Sequence, residues 1–191
     1  MDVAAWRRET RARLIDARLG IPPEEHRRAS LSIESYLEEL LGPLPPQTLS
    51  GYWPFKAEVD LRPLMERLQL QGWVTALPTV VGRRTPLEFL KWAAGMEMDL
   101  GPYDIPMPRD RTIVQPNIVI APLVAFDRNN YRLGYGSGYF DITLATLQPA
   151  PLTIGVGFEL SRLETIHPLP TDIPLTLVVT EAGVWKSGSR G

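Results

Sequence analysis

The chain has no cysteine, only two histidines and no marked excess of charge of either sign. Without cysteine there can be no disulfide, no thiol nucleophile and no thiolate metal site. The 20 Lys and Arg residues nearly balance 22 Asp and Glu residues, for a net charge of −2. A non-specific nucleic-acid binder normally carries a basic excess, so we expect no nucleic-acid partner.

Long apolar runs and a secretory signal are also missing. The longest apolar runs, such as 118–126, fall far short of the roughly 20 residues that span a bilayer. Four arginines between positions 7 and 13 precede no apolar segment, unlike the basic region of a signal peptide. We therefore expect a cytoplasmic protein with no membrane association.

The composition is that of one globular domain. The chain has 191 residues, of which 44% are hydrophobic and 22% charged. Its 19 prolines are about twice the usual share of ~5% and fall between periodic segments, where they punctuate loops. We expect a single domain over residues 1–186 and a flexible C-terminal tail over 187–191.

Helical and strand-like segments alternate along the chain. The patterns predict helices over 2–19, 24–41, 63–70 and 139–147. They predict strands over 49–53, 73–77, 87–92, 117–126, 153–158 and 175–180. The three prolines within 101–108 predict an irregular loop. This alternation predicts a three-layer α/β domain whose central sheet is largely parallel, with helices on both faces.

Glycines at positions 134, 136 and 138 form a loop between a predicted strand and a predicted helix. Alternate glycines let backbone N–H groups approach an anion, and the helix N-terminus adds its positive end. The loop is not a dinucleotide fingerprint, because Tyr139 stands where the third glycine would fall, and no Gly-Lys-Ser/Thr follows as in a Walker A loop. Two interpretations stay open, a phosphate site and a flexible turn.

Charged side chains supply further candidates. Arg7, Arg11 and Arg18 lie within an arc of about 40° on the first helix. Arginine forks match phosphate oxygens, but a stripe of this kind on its own is more often a solvated helix face. Glu58 and Asp60, which follow a predicted strand, could bind a substrate amine or cap the next helix.

Two aspartates are candidate magnesium ligands. Asp141 lies in the first turn of the helix after the glycine loop, where it could hold Mg²⁺ beside phosphates or only complement the helix dipole. Asp172 precedes the last predicted strand and is the second candidate. From its position alone it is an ordinary turn residue.

The segment 132–141, with 121–127 before it, resembles the signature of the 5-formyltetrahydrofolate cyclo-ligase family. Further stretches match that family in the same order, so that the resemblance covers nearly the whole chain. They are 52–54 with 58–60, positions in 77–95, 101–108, and 172 with 178–181. The resemblance implies an ATP- and Mg²⁺-dependent enzyme that cyclises 5-formyltetrahydrofolate to 5,10-methenyltetrahydrofolate and releases ADP and phosphate.

The resemblance also implies roles for individual residues. Nucleotide contacts fall on Arg7, Arg11, Arg132, Leu133, Gly134, Tyr135, Gly136, Ser137, Gly138, Tyr139 and Phe140. Folate contacts fall on Trp53, Glu58, Tyr103, Tyr135, Gly136, Ser137, Gly138 and Tyr139. Glu58 and Tyr139 are the implied catalytic residues, and Asp141 and Asp172 the implied Mg²⁺ ligands. The implied partners are the small molecules ATP and a reduced folate, and we expect a monomer or a weak homo-oligomer.

Several positions depart from the family pattern. Phe140 replaces a frequent tyrosine, and Ile142 a frequent arginine. Thr171 and Thr176 replace a frequent histidine and aspartate near Asp172. These departures leave two alternatives open beside the cyclo-ligase. One is a non-catalytic relative that binds folate or nucleotide, and the other is a different small-molecule kinase or transferase built on the same loop.

Overall fold

A computed structural model describes residues 1–187, which form four α-helices and twelve strands. The helices are α1 Val3–Leu19, α2 Pro23–Leu41, α3 Arg62–Leu70 and α4 Tyr139–Thr146. The first six strands are β1 Thr48–Ser50, β2 Val74–Thr79, β3 Glu88–Trp92, β4 Met98–Leu100, β5 Pro106–Pro108 and β6 Ile118–Pro122. The others are β7 Ala125–Asp127, β8 Arg132–Leu133, β9 Leu152–Val156, β10 Arg162–Leu163, β11 Leu177–Thr180 and β12 Gly183–Lys186.

The central sheet has seven strands in the order β12-β11-β9-β6-β1-β2-β3. The five inner strands run parallel to one another, whereas β12 and β3 pair antiparallel with them at the two edges. The largely parallel sheet is therefore confirmed, with an antiparallel strand at either end.

Each face of this sheet is covered by helices. Along β6, Ile118 and Ile120 point to one face, where they join the core formed with α2 and α3. Val119 points to the opposite face, where it packs in a second core with Leu144 of α4. Because successive strand residues alternate between faces, the apolar run of β6 needs cover on both sides. The predicted three-layer arrangement is confirmed.

A second sheet has the strand order β10-β7-β8, and α1 packs against it. Leu14 of α1 packs there in a small core with Val124 and Leu133. Because β7 comes shortly after β6 in the chain, this sheet and α1 lie beyond the carboxyl end of the central strands. The N-terminal helix is thereby placed beside the loops that leave the sheet.

Two local predictions are wrong. The segment 117–126 is not one strand: β6 ends at Pro122, and the chain continues into the other sheet as β7. Proline has no N–H to donate, so the ladder of β6 cannot continue through it. The segment 101–108 is not irregular throughout, because β5 pairs antiparallel with β4 to form a short ribbon.

The proposed division into a domain over 1–186 and a tail over 187–191 stays a prediction, since residues 188–191 lie outside the described part of the chain. Among residues 1–187, no helix combines the length and the apolar character needed to cross a membrane.

The core on the α2 side yields a matched pair of stability predictions. Leu37 of α2 is fully buried, whereas Leu31 of the same helix is 53% exposed. We expect Leu37→Ala to lower the free energy of unfolding by about 2–5 kcal/mol, because it removes buried methyl groups and leaves a cavity. Leu31→Ala should change it by less than about 0.5 kcal/mol. Urea unfolding of the two variants measures both, and equal losses would contradict this account of the core.

Candidate functional site

Several of the predicted site residues meet beyond the carboxyl ends of the central strands. Glu58 follows β1, the glycine loop 134–138 follows β8, and α1 lies against both. In open parallel sheets, this edge is where loops from neighbouring strands meet and where ligands bind.

The arginine stripe of α1 is not a solvated face. Arg7 and Arg18 are buried and Arg11 is partly buried, while Arg8 and Arg13 of the same helix are exposed. Arg11 Nε donates a hydrogen bond of 2.7 Å to the carbonyl oxygen of Gly134. The stripe therefore packs against the glycine loop, and the interpretation as a solvated face is wrong.

Each predicted metal ligand forms an ion pair with an arginine, one from this stripe and one from β8. Arg7 Nη1 lies 2.9 Å from Asp172 Oδ2, and Arg132 Nη2 lies 3.1 Å from Asp141 Oδ2. The charges of Asp172 and Arg7 also act on the pKa of Arg132, so the four side chains form one charge network. The two aspartates have local roles as well. Backbone N–H groups of Ile173 and Leu169 donate to Asp141 and Asp172 respectively.

The network leaves buried donors without hydrogen bonds. Arg7 is 6% exposed and Arg132 is 4% exposed. Within the described chain, Arg7 Nε and Arg132 Nε make no hydrogen bond, and Arg7 Nη1 contacts Asp172 Oδ2 as an ion pair without hydrogen-bond geometry. Burial and the charge of Arg7 lower the pKa of Arg11, and burial lowers the pKa of Arg132. Because buried guanidinium groups need acceptors and countercharge, the cluster is suited to an anion with several oxygens.

The glycine loop depends on small residues for two reasons. Gly136 and Gly138 have φ angles of +108° and +70°, which L residues rarely adopt. A Cβ atom at Gly134 would lie 2.8 Å from Arg132 Nη1. Gly138 precedes the first residue of α4, whose start is capped by no side chain of residues 1–187. The first N–H groups of α4 are therefore available to an anion.

Residues beside the loop divide into exposed and buried ones. Ser137 is exposed, whereas Leu133 packs its side chain into the small core under α1 and offers the site only its backbone. Phe140 lies under Arg132, with the guanidinium carbon 5.1 Å from the ring centroid. Phe140 thus supports the arginine even though it has no hydroxyl.

Glu58 is a buried carboxylate tied to the glycine loop. The Tyr135 hydroxyl donates to its Oε1 at 2.6 Å, and the Phe55 N–H donates to its Oε2 at 2.9 Å. Burial raises the pKa of Glu58, although Tyr135, Arg18 and Phe55 act in the opposite direction. The helix-capping role falls instead to Asp60, whose Oδ1 accepts from the Arg62 N–H at the start of α3.

Sequence reasoning missed one residue of this site. Tyr52 is buried, and its hydroxyl has no hydrogen-bond partner in the described structure. Burial and the charge of Glu58 raise the pKa of Tyr52 well above its usual range. Its position two residues after β1 was visible, but only folding brings its hydroxyl near Glu58.

The predicted aromatic contacts fall in two places. Tyr103, at the turn between β4 and β5, places its hydroxyl 3.2 Å from that of Tyr139. Trp53 instead stacks on Arg62, with the guanidinium carbon 4.4 Å from its ring centroid. Trp53 also lines a cavity of about 360 Å³ together with Trp92 and Met98. None of these contacts among residues 1–187 joins Trp53 to the tyrosine pair.

The carboxylates of the site are few for a metal. No three His, Asp or Glu side chains of residues 1–187 come together as a metal site. Asp141 and Asp172 share one charge network but are each paired with an arginine. They suit a cation that keeps waters and takes most of its oxygen ligands from a bound phosphate, as Mg²⁺ does.

The fold and these loops define a class of protein: a three-layer α/β domain with an anion-suited glycine loop and a buried carboxylate at the carboxyl edge of a parallel sheet. A family model described as the 5-formyltetrahydrofolate cyclo-ligase family matches residues 3–181. The chain belongs to this family of enzymes.

Individual relatives agree with this assignment. The 5-formyltetrahydrofolate cyclo-ligase of Escherichia coli K12 is 32% identical over 149 residues, which cover 73% of this chain and 80% of the relative. The NMR structure of Aquifex aeolicus 5,10-methenyltetrahydrofolate synthetase is 28% identical, with a TM-score of 0.82 over 97% of this chain and 94% of that one. A Mycoplasma pneumoniae 5,10-methenyltetrahydrofolate synthetase, 24% identical, shares the fold with a TM-score of 0.76 over 95% and 99% of the two chains.

The raised pKa of Glu58 makes folding stability depend on pH. Below the unfolded pKa near 4.3, Glu58 is neutral in both states and the shift has no effect. As the pH rises from there through the folded pKa, the buried ionised form costs stability. We therefore expect the melting temperature of Glu58→Gln to rise relative to that of the wild type as the pH increases above about 4.3. Melts across this range measure the difference, and a gap that stays constant or shrinks would contradict the raised pKa.

Proposed function

We propose that this protein converts 5-formyltetrahydrofolate to 5,10-methenyltetrahydrofolate, using Mg·ATP and releasing ADP and phosphate. The observation that carries the proposal is the set of unsatisfied, buried guanidinium N–H groups on Arg7 and Arg132 beside the glycine loop. In a member of the cyclo-ligase family, a polyphosphate is the anion that such a cluster would take.

The phosphate half of the proposed site needs position and charge more than covalent chemistry. Phosphoryl transfer is accelerated mainly by holding the reactants in line and by neutralising the spread negative charge. We assign Arg7, Arg11 and Arg132 to the phosphate oxygens, together with backbone N–H groups of 133–140. The hydrogen bond from Arg11 to Gly134 already holds one guanidinium against the loop.

The folate half is assigned to the other side of the glycine loop. Glu58 contacts the pterin, and the residues of the loop from Tyr135 to Tyr139 face both substrates. Tyr103 and Tyr139 supply aromatic surface, and their paired hydroxyls form one rim of the site. Trp53 contacts the folate from its own cavity on the α3 side. Glu58 and Tyr139 are the two side chains that we assign to the reacting end.

The proposed reaction balances in two steps. The formyl oxygen attacks the γ-phosphorus, and the bond from that phosphorus to ADP breaks. N10 then attacks the formyl carbon, and the carbon–oxygen bond breaks as phosphate leaves. The released phosphate carries the proton that N10 loses. The protein contributes binding, orientation and exclusion of water to both steps.

Mg²⁺ fits the residues that are present. We propose that Asp141 and Asp172 hold it, because two carboxylates beside a phosphate loop are the protein ligands that this ion uses. Of the two Asp172 oxygens, Oδ2 receives the described contacts from Arg7 and Leu169. When bound, the ion would screen the charge of the phosphates. The predicted cytoplasmic location, and the predicted monomer or weak oligomer, accord with small soluble substrates and stay predictions.

The proposal is tested by mixing the protein with 5-formyltetrahydrofolate, ATP and Mg²⁺ and following the absorbance of the methenyl product. Product that requires both ATP and Mg²⁺ supports the proposal. Nucleotide binding without product would favour the non-catalytic alternative. ADP release without methenyl product would indicate a different kinase or transferase.

The contact between Arg11 and the loop predicts a selective effect on the nucleotide. Arg11→Ala should raise the KM for ATP by roughly one to two decades, since a charge-assisted hydrogen bond contributes about 1.5–3 kcal/mol. The KM for folate should change much less. Arg13→Ala, at an exposed position of the same helix, is the matched control and should leave both values near those of the wild type. Steady-state kinetics measure all four values, and an unchanged ATP dependence in Arg11→Ala would remove Arg11 from the site.

Asp141 allows the metal assignment to be tested separately. Asp141→Asn should still fold but lose about 1–3 kcal/mol of stability, because Arg132 loses its charged partner. Its activity should be low and should recover partly at high Mg²⁺, since the variant lacks one anionic ligand. Asp16→Asn, on the exposed side of α1, should keep the magnesium dependence of the wild type. A thermal melt and a magnesium titration measure both effects, and normal turnover of Asp141→Asn at low Mg²⁺ would exclude the assignment.

A further inference from the structure

Arg18 lies deeper than the other arginines of the α1 stripe, and each of its three guanidinium nitrogens is engaged. The residue is 3% exposed. Its Nε donates to the Lys56 carbonyl oxygen at 2.9 Å, and its Nη1 donates to the Leu123 carbonyl oxygen at 3.2 Å. Its Nη2 donates to the Tyr135 hydroxyl at 2.5 Å. Arg18 is therefore not available to phosphate in the way that Arg7 and Arg11 are.

The three partners of Arg18 come from three different loops. Lys56 lies in the loop after β1, Leu123 directly follows β6, and Tyr135 belongs to the glycine loop. These loops are far apart in the chain but meet at the carboxyl edge of the sheet. One guanidinium thus links the proposed folate side of the site to the proposed nucleotide loop.

The link to Glu58 passes through Tyr135. A tyrosine hydroxyl has one proton to donate, and it can accept through its lone pairs. Because Arg18 is a donor only, the Tyr135 oxygen accepts from Arg18 and directs its own proton to Glu58 Oε1, 2.6 Å away. Arg18 Nη2 itself lies 4.0 Å from the same oxygen of Glu58. The positive charge and the directed hydroxyl together hold the Glu58 carboxylate in one orientation.

We propose that Arg18 is a positioning residue that orients the Glu58 carboxylate for the folate by fixing the direction of the Tyr135 hydroxyl. This inference rests on the proposed function, because it assigns Glu58 to the folate. It gives Arg18 a different role from its neighbours on α1: Arg7 and Arg11 act on the nucleotide, whereas Arg18 acts through Glu58.

A double-mutant cycle between Arg18→Gln and Glu58→Gln tests the proposal. Arg18→Gln alone should lower kcat/KM for 5-formyltetrahydrofolate by about 30-fold, because it removes hydrogen bonds from a charged group. The KM for ATP should change by less than about threefold. In a Glu58→Gln background the same substitution should cost less than about threefold, because the group it positions has already been altered. Additive losses would overturn the proposal, and so would an equal rise in both KM values.

The pH profile gives a readout that a purely structural role would not move. The charge of Arg18 lowers the pKa of Glu58, so its removal should shift the acidic limb of kcat/KM for folate to higher pH. Arg18→Lys keeps the charge but lacks the planar fork, and it should restore part of this shift. An unshifted limb in Arg18→Gln would contradict the role. Arg13→Gln, at an exposed position of α1, is the matched control and should reproduce the wild-type profile.

Folding and function are separated by two further measurements. If Arg18→Gln melts below the assay temperature, Arg18→Lys takes its place in the cycle with Glu58→Gln, and the same non-additivity is expected. Titration calorimetry with 5-formyltetrahydrofolate alone measures folate affinity without turnover. Loss of folate affinity in Arg18→Gln and in Glu58→Gln supports the positioning role even if ATP-driven product formation fails. Wild-type affinity in both variants overturns it even if the enzyme is active.

Discussion

The site depends on the burial of arginine side chains of α1 against the loops at the carboxyl edge of the sheet. A buried guanidinium is tolerated only where acceptors and opposite charge surround it. Arg18 donates hydrogen bonds to two backbone carbonyls and a hydroxyl, and Arg11 donates one to the Gly134 carbonyl. Arg7 forms an ion pair with Asp172. The first helix thereby holds the loops after β1 and β6 and the glycine loop in place.

Some arginine N–H groups of the site nevertheless lack a hydrogen-bond acceptor in the described chain. The arginines concerned lie on the proposed phosphate side. Arg7 and Arg132 retain buried N–H groups without hydrogen bonds, whereas every nitrogen of Arg18 is engaged. A donor that is already desolvated and aimed loses little on binding an anion. Burial thus leaves Arg7 and Arg132 with N–H groups that an anion could satisfy. The same burial fixes Arg18 against three loops of the protein itself.

Two of the positions that depart from the family pattern, Phe140 and Thr176, have local structural roles. Phe140 places its ring under the Arg132 guanidinium, which keeps that side chain against the loop although a hydroxyl is lost. The Thr176 hydroxyl lies 3.1 Å from that of Thr153, and the two threonines exchange further hydrogen bonds with each other's backbone. Phe140 and Thr176 therefore fit their surroundings in this chain.

The sequence by itself determined the α/β class, the largely parallel sheet and the glycine loop, because these follow from local periodicity and from the punctuation by glycine and proline. It also indicated the family, since the matching motifs occur in order along the chain. It could not show that the run 117–126 divides between two sheets, because its apolar character continues across Pro122. The helical spacing of Arg7, Arg11 and Arg18 placed them on one face, but only the tertiary structure decided that this face is buried. Their different partners, Asp172, Gly134 and Tyr135, are distant in sequence, and long-range contacts of this kind leave no local pattern to read.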